Sequence, residues 1–99
     1  MVERVYKFGR FAFDAERSQL TRGGTVMVIG QRAAAILARL LQASGSVVGK
    51  DDLIAAGWPG QTVEESNLSV QIAALRKVLG QNSLGEDWLM TAQRMGYSF

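Results

Sequence analysis

The 99-residue chain contains no cysteine, no histidine and only one proline. The lack of cysteine excludes a disulfide framework and a thiol nucleophile, and suits a reducing compartment such as the cytoplasm. Without histidine, the chain also lacks the commonest general base. Its serines form no Gly-x-Ser-x-Gly motif. We therefore expect no enzyme activity, no metal site and no bound cofactor.

Long apolar stretches are also missing. The longest unbroken run, Ala33 to Ala38, is far too short to cross a bilayer, and the N-terminus lacks the apolar region of a signal peptide. Eleven basic against nine acidic residues leave a net charge of +2, which argues only weakly for a nucleic-acid partner. The length predicts a single domain, residues 1–99, that makes no membrane contact.

The first 28 residues are predicted to form a small antiparallel sheet. Gly9-Arg10 and Gly23-Gly24 are two-residue hairpin signals, and together with the polar turn at residues 14–18 they divide residues 1–28 into four short strands. On both sides of the first hairpin signal, aromatic residues alternate with small or charged ones, which is typical of a sheet with one buried face. These aromatic residues are Tyr6, Phe8, Phe11 and Phe13.

Residues 31–80 are predicted to form a three-helix core. Apolar residues recur at helical spacing from about 31 to 43 and again in a short stretch from about 50 to 56. The third helix, about 64–79, has one apolar stripe, formed by Leu68, Ile72, Leu75 and Leu79. Thr62, with Glu65 three residues later, is predicted to cap this helix in a capping box.

Two further strands, 88–91 and 97–99, are predicted at the end of the chain, as a hairpin within residues 88–99. A β-prone pair, Val47-Val48, lies between the first two helices. The order of elements predicts an α+β fold: a winged helix-turn-helix with an N-terminal four-stranded antiparallel sheet, three helices and a C-terminal β-hairpin, the wing.

The exposed side of the third helix carries small and polar residues, which would let its backbone enter a DNA major groove about 12 Å wide. On this side, Asn67 and Gln71 are suited to bidentate contacts with adenine. Val70 and Ala74 are suited to thymine methyl groups, and Ser66 lies on the same side. The alternative is plain: many helices expose such residues to water and bind nothing.

Basic residues flank this surface. Arg76 and Lys77, near the end of the third helix, suit phosphate contacts. Arg94, at the tip of the last hairpin, suits the narrow minor groove of A·T-rich DNA, although a solvated turn residue is an equal interpretation of it. Trp58 and Trp88 are more simply core residues than partner contacts.

Three segments together resemble the winged-helix DNA-binding domains of the OmpR/PhoB type: 48–59, 63–79 and 91–99. The resemblance covers essentially the whole chain. It implies that the third helix enters the major groove, and the wing the minor groove, of double-stranded DNA. It also adds Thr91, Gln93 and Tyr97 to the predicted DNA-binding residues. In this family the loop between the second and third helices, here 57–63, can meet RNA polymerase.

The sequence departs from the family pattern where basic residues are frequent. Ala73 and Ala74 replace basic residues of the recognition helix, and Gln93 replaces a frequent wing arginine. Fewer basic contacts predict weak binding by one copy, which two copies on tandem half-sites would offset. The domain starts at Met1, as in one-component regulators, and the chain ends inside the hairpin, so we expect a piece of a longer regulator.

The sequence therefore favours the DNA-binding module of a bacterial transcriptional regulator. Two alternatives stay open. One is a winged helix that binds a protein partner and has lost DNA binding, which the two alanines and the modest charge support. The weaker one is recognition of nucleic acid by shape, including structured RNA.

Overall fold

The computed structural model describes residues 4–99, so the first three residues of the predicted 1–28 sheet lie outside the described residues. Four strands pair antiparallel in chain order: β1 (Val5–Phe8), β2 (Phe11–Asp14), β3 (Gln19–Arg22) and β4 (Thr25–Met27). Turns at Gly9-Arg10 and Gly23-Gly24 close two of the three connections, and the predicted four-stranded sheet is confirmed.

One face of this sheet enters the core because alternate residues of a strand point to opposite faces. Phe11 and Phe13 of β2 and Leu20 of β3 are buried. Phe13 lies directly opposite Leu20 in the β2–β3 register, so the two side chains form a cross-strand pair. This face of the sheet packs against the helices in a shared hydrophobic cluster.

The three predicted helices are confirmed as α1 (Gln31–Gln42), α2 (Lys50–Gly57) and α3 (Glu65–Leu79). The predicted capping box is wrong. Glu64 is the N-cap of α3, and no side chain caps the helix. Thr62 lies too early to do so, and the Glu65 carboxylate accepts a hydrogen bond from Lys50 Nζ at 3.2 Å instead of reaching back along its own chain.

The C-terminal hairpin is confirmed, with strands shifted slightly from those predicted: β6 (Met90–Ala92) and β7 (Gly96–Ser98). A short strand, β5 (Val48–Gly49), pairs with β7 and makes a three-stranded sheet in the order β5-β7-β6. Gly49 faces Gly96 in this pairing. A side chain at Gly96 would overlap the Val48 carbonyl oxygen, so the close approach of β5 and β7 requires glycine there.

One hydrophobic cluster joins the helices and the first sheet. The apolar stripe of α3 is buried in it, as predicted. Trp58 is also buried, which confirms its interpretation as a core residue. Trp88 is only half-buried and packs against Phe8 and Phe99 in an aromatic group at the edge of the core. Within residues 4–99, no helix is long and apolar enough to cross a membrane.

Candidate nucleic-acid interface

The side of α3 that faces away from the core is open to solvent. Since residues three and four apart share a helix face, burying the leucine and isoleucine stripe turns the intervening residues outward. The exposed residues between Glu65 and Leu75 are small or neutral: Ser66, Asn67, Ser69, Val70, Ala73 and Ala74. No charged side chain lies on this stretch, and we call it the reading face.

Val70 lies at the centre of the reading face, and Gln71 lies beside it. Val70 is 64% exposed and is the largest apolar side chain of the reading face. Gln71 is half-buried because it lines a groove beside Pro59 and the start of α1 at Gln31. Its side chain is therefore more restricted than that of Asn67, which is exposed.

Arg76 joins α3 to the wing. Its Nε donates a hydrogen bond to the Leu89 carbonyl oxygen at 3.1 Å, and its Nη2 donates one to Thr91 Oγ1 at 2.6 Å. Its Cζ lies 5.9 Å from the centroid of the Tyr97 ring. Arg76 is half-buried in this arrangement, whereas the next residue, Lys77, is exposed. Nothing in the sequence indicates these contacts, because Arg76 and Thr91 are 15 positions apart.

The tip of the wing projects a cation. Arg94 is exposed and has φ 65°, a left-handed conformation that is uncommon for a residue with a side chain. The turn is closed by a hydrogen bond from the Met95 amide to the Ala92 carbonyl oxygen at 3.0 Å. Gln93 is exposed beside Arg94, and Tyr97 is half-buried behind them. The structure thus places Thr91 and Tyr97 beside Arg76 of α3, with Gln93 and Arg94 at the turn of the hairpin.

Charge is unevenly placed around the reading face. Lys77 is an exposed cation near its C-terminal end, and Glu64 and Glu65 lie at its N-terminal end. Arg94 is a second exposed cation, at the turn of the wing. Glu65 is paired with Lys50 of α2, a partner that sequence reasoning missed because the pair spans 15 positions. In the described range 4–99, no group of histidine, cysteine or acidic residues could hold a metal ion.

The sequence matches the family model described as "Transcriptional regulatory protein, C terminal" over residues 24–99. This range includes α1, α2, α3 and the wing. A search of curated proteins found no match.

Three solved structures illustrate the likeness of the fold. The DNA-binding domain of E. coli CadC is 25% identical, with a TM-score of 0.80 over 99% of this chain and 94% of that chain. The Klebsiella pneumoniae RstA DNA-binding domain, solved in complex with the RstA box, is 24% identical, with a TM-score of 0.78 over 97% and 96%.

The Thermotoga maritima response regulator DrrB, an OmpR/PhoB homolog, is 23% identical, with a TM-score of 0.82 over 96% of this chain. This chain spans only 43% of DrrB, and also 43% of a matching chain from a streptococcal family of redox sensors. The likeness is therefore to one domain of these longer proteins.

Proposed function

Because the chain belongs to the family of transcriptional regulatory protein C-terminal domains, the winged-helix DNA-binding domains of the OmpR/PhoB type, we propose that it binds double-stranded DNA sequence-specifically. It would act as the DNA-binding module of a bacterial transcriptional regulator, by binding and recruitment and without chemistry. CadC and RstA, whose matched domains are named as DNA-binding, support this proposal. The reading face of α3 would enter the major groove and the wing the minor groove.

The observation that carries the proposal is the continuity of α3 with the wing. Arg76 holds both Leu89 and Thr91, so the end of the helix and the start of β6 are fixed side by side. A rigid surface made of a helix and a wing can enter the major groove and the adjacent minor groove at once. No loop has to become ordered during binding, and the entropy cost that would weaken affinity is avoided.

Phosphate contacts would set the register of the domain on DNA. Lys77 is exposed at the end of α3, and Ser66 offers a hydroxyl at its beginning. Thr91 and Tyr97 offer hydroxyls from the wing strands, beside the Arg76 guanidinium. With roughly three to five phosphates neutralised, the slope of log affinity against log salt would be about −3 to −5.

So shallow a slope implies modest affinity for one copy, and we propose that two copies bind tandem half-sites.

The loop at residues 57–63 is the proposed contact with RNA polymerase. Residues 59–62 are exposed there, while Trp58 is buried. Arg32 holds Trp58 in place, because its Nη1 donates to the Gly57 carbonyl oxygen at 2.9 Å and its Cζ lies 5.3 Å from the Trp58 ring.

An NMR titration of labelled protein with mixed-sequence duplex DNA, at low and then moderate salt, tests the proposal. We expect salt-sensitive shifts in residues 66–77 and 93–97, because non-specific binding to phosphates is strongest at low salt. Asn67→Ala and Gln71→Ala should change sequence preference, whereas Lys77→Glu should weaken binding to every sequence. Equal losses on all sequences for the three variants would contradict the assigned roles.

The exposure of Val70 supports a second candidate, a winged helix that binds protein through the reading face. In that case residues 66–77 would show no shifts even at low salt. Size-exclusion chromatography with light scattering would then reveal a DNA-free dimer if a second copy covers this face. A monomer with DNA-dependent shifts contradicts this candidate.

A further inference from the structure

The composition of the reading face limits which base pairs it can recognise. From Ser66 to Leu75, α3 carries no arginine, lysine, aspartate or glutamate. Arginine or lysine bonded to guanine O6 and N7 is the commonest specific contact in the major groove, and an acidic side chain can accept a bond from cytosine N4. The residues best suited to recognising a G·C pair are thus missing from this face.

The charged residues next to this stretch are not placed to contact a G·C pair at its centre. Arg76 is directed at the wing, because its Nε and Nη2 are bonded to Leu89 and Thr91. Lys50 is paired with Glu65 at 3.2 Å, at the N-terminal end of the helix. Glu64 precedes the helix and could reach a cytosine only at that end. Lys77 lies one turn beyond Ala73 and could reach a guanine only at the C-terminal end of the helix.

The groups that are present match A·T pairs. Asn67 and Gln71 are four residues apart and share a face, with about 6 Å of helix axis between them. Each amide can both donate to adenine N7 and accept from adenine N6. Val70 and Ala74 are also four residues apart, and their methyl groups suit the C5 methyl of thymine, which only an A·T pair presents.

Val70, 64% exposed in the free domain, is the largest apolar group that the reading face can offer to DNA. Its removal from water is favourable where an apolar group covers it in the groove. A thymine methyl group is the apolar group that an unmodified base edge offers in the major groove. Arg94, exposed at the wing tip, adds a cation suited to the narrow minor groove of A·T-rich DNA.

We infer that the base pairs facing the middle of α3 are consecutive A·T pairs, with adenines opposite Asn67 and Gln71 and thymine methyl groups against Val70 and Ala74. This inference rests on the proposed function, since it names the class of duplex that the same surface would bind. A G·C pair facing the N-terminal end of the helix, near Glu64, is compatible with it.

Selection from randomised duplex DNA by the 99-residue protein, at moderate salt, tests the inference directly. The expected result is a run of A·T pairs in each half-site, and replacing one of them by G·C should weaken binding about five- to a hundredfold. Enrichment of guanines at the centre of the half-site overturns the inference. Salt-dependent binding without base preference also overturns it but leaves DNA binding intact, whereas no binding at low salt overturns the proposed function itself.

Base analogues placed in the selected site test the contact of each side chain with its base separately. Exchanging thymine for deoxyuridine removes the methyl group and keeps the base pair, so we expect about a fourfold loss of affinity per contacted methyl. Val70→Ala should abolish that sensitivity. Val26→Ala, an exposed valine on β4, is the matched control and should retain it. Equal sensitivity in both variants overturns the contact between Val70 and thymine.

Exchanging adenine for 7-deaza-adenine removes the N7 acceptor and tests the amides in the same way. Its effect should disappear in Gln71→Ala or Asn67→Ala, depending on the position replaced. An effect that persists in both variants overturns the assignment of adenine to these two side chains.

Discussion

The Nη2 atom of Arg76 donates a hydrogen bond to Thr91 Oγ1 at 2.6 Å, so α3 and the first wing strand are joined by a charge-assisted bond. Arg76 is also the residue that sequence reasoning assigned to phosphate contact. The two roles are compatible, because a guanidinium has five N–H donors and the bonds to Leu89 and Thr91 employ only two of its nitrogens.

Thr91→Val should lower the free energy of unfolding by about 1 kcal/mol, because the hydroxyl that accepts from Arg76 is lost. Thr91→Ser keeps a hydroxyl and should retain most of the stability. Urea unfolding followed by tryptophan fluorescence measures both variants. In a double-mutant cycle with Arg76→Met, we expect a coupling of about 0.5–1.5 kcal/mol. A coupling near zero would show that the bond does not brace the wing.

Lys77→Gln should weaken binding to all duplexes by a similar factor and reduce the magnitude of the salt slope by about 0.9, because one phosphate contact is removed. Fluorescence anisotropy at a series of salt concentrations gives the slope. Lys7→Gln, on β1 of the other sheet, removes the same charge and should leave the slope unchanged. Identical slopes for the protein and both variants would argue against a phosphate contact at Lys77.

Arg94→Gly should weaken DNA binding without destabilising the fold. The left-handed backbone at Arg94 costs about 1 kcal/mol or more for a residue with a side chain, and glycine adopts it freely. We therefore expect an unchanged or higher melting temperature together with lower affinity for A·T-rich duplexes. Arg94→Lys keeps the charge and should bind nearly as well as the unmodified protein. Full affinity in the glycine variant would exclude a minor-groove role for Arg94.

Gly96→Ala should lower the free energy of unfolding by about 1–3 kcal/mol, because the new methyl group overlaps the Val48 carbonyl oxygen and pushes β5 away from β7. Since the wing is displaced as well, DNA binding should fall. Gly30→Ala serves as the control: its φ is −67° and no atom lies within 4 Å of the added carbon. A Gly96→Ala variant as stable as this control would show that β5 and β7 can separate at little cost.

Local sequence patterns predicted most of the elements. The stripe of Leu68, Ile72, Leu75 and Leu79 identified α3 because apolar residues at helical spacing need a common core. The Gly9-Arg10 and Gly23-Gly24 turns identified the first sheet for an equally local reason. The predicted capping box was wrong because the three-residue spacing of Thr62 and Glu65 is common by chance. The side chain of Glu65 accepts a hydrogen bond from Lys50 of α2 instead.

The choice of DNA-binding residues came from residue chemistry, helical spacing and the family resemblance, and it stays a prediction. The structure adds three observations about these residues: Val70 is exposed, Gln71 lies in a groove beside Pro59, and the guanidinium of Arg76 is hydrogen-bonded to Thr91. Helical spacing already predicts the exposure of Val70, whereas the surroundings of Gln71 and Arg76 depend on elements distant in the chain.

By itself, the sequence determined the helices, the first sheet, the hairpin and the neutral character of the reading face, since periodicity and turn chemistry act over a few residues. Only the tertiary structure decided that β5 would join β7 and that Arg76 would hold Thr91. Pairings of this kind depend on which segments the buried core brings together. Their hydrogen bonds form only after residues as far apart as Val48 and Tyr97 have been placed side by side.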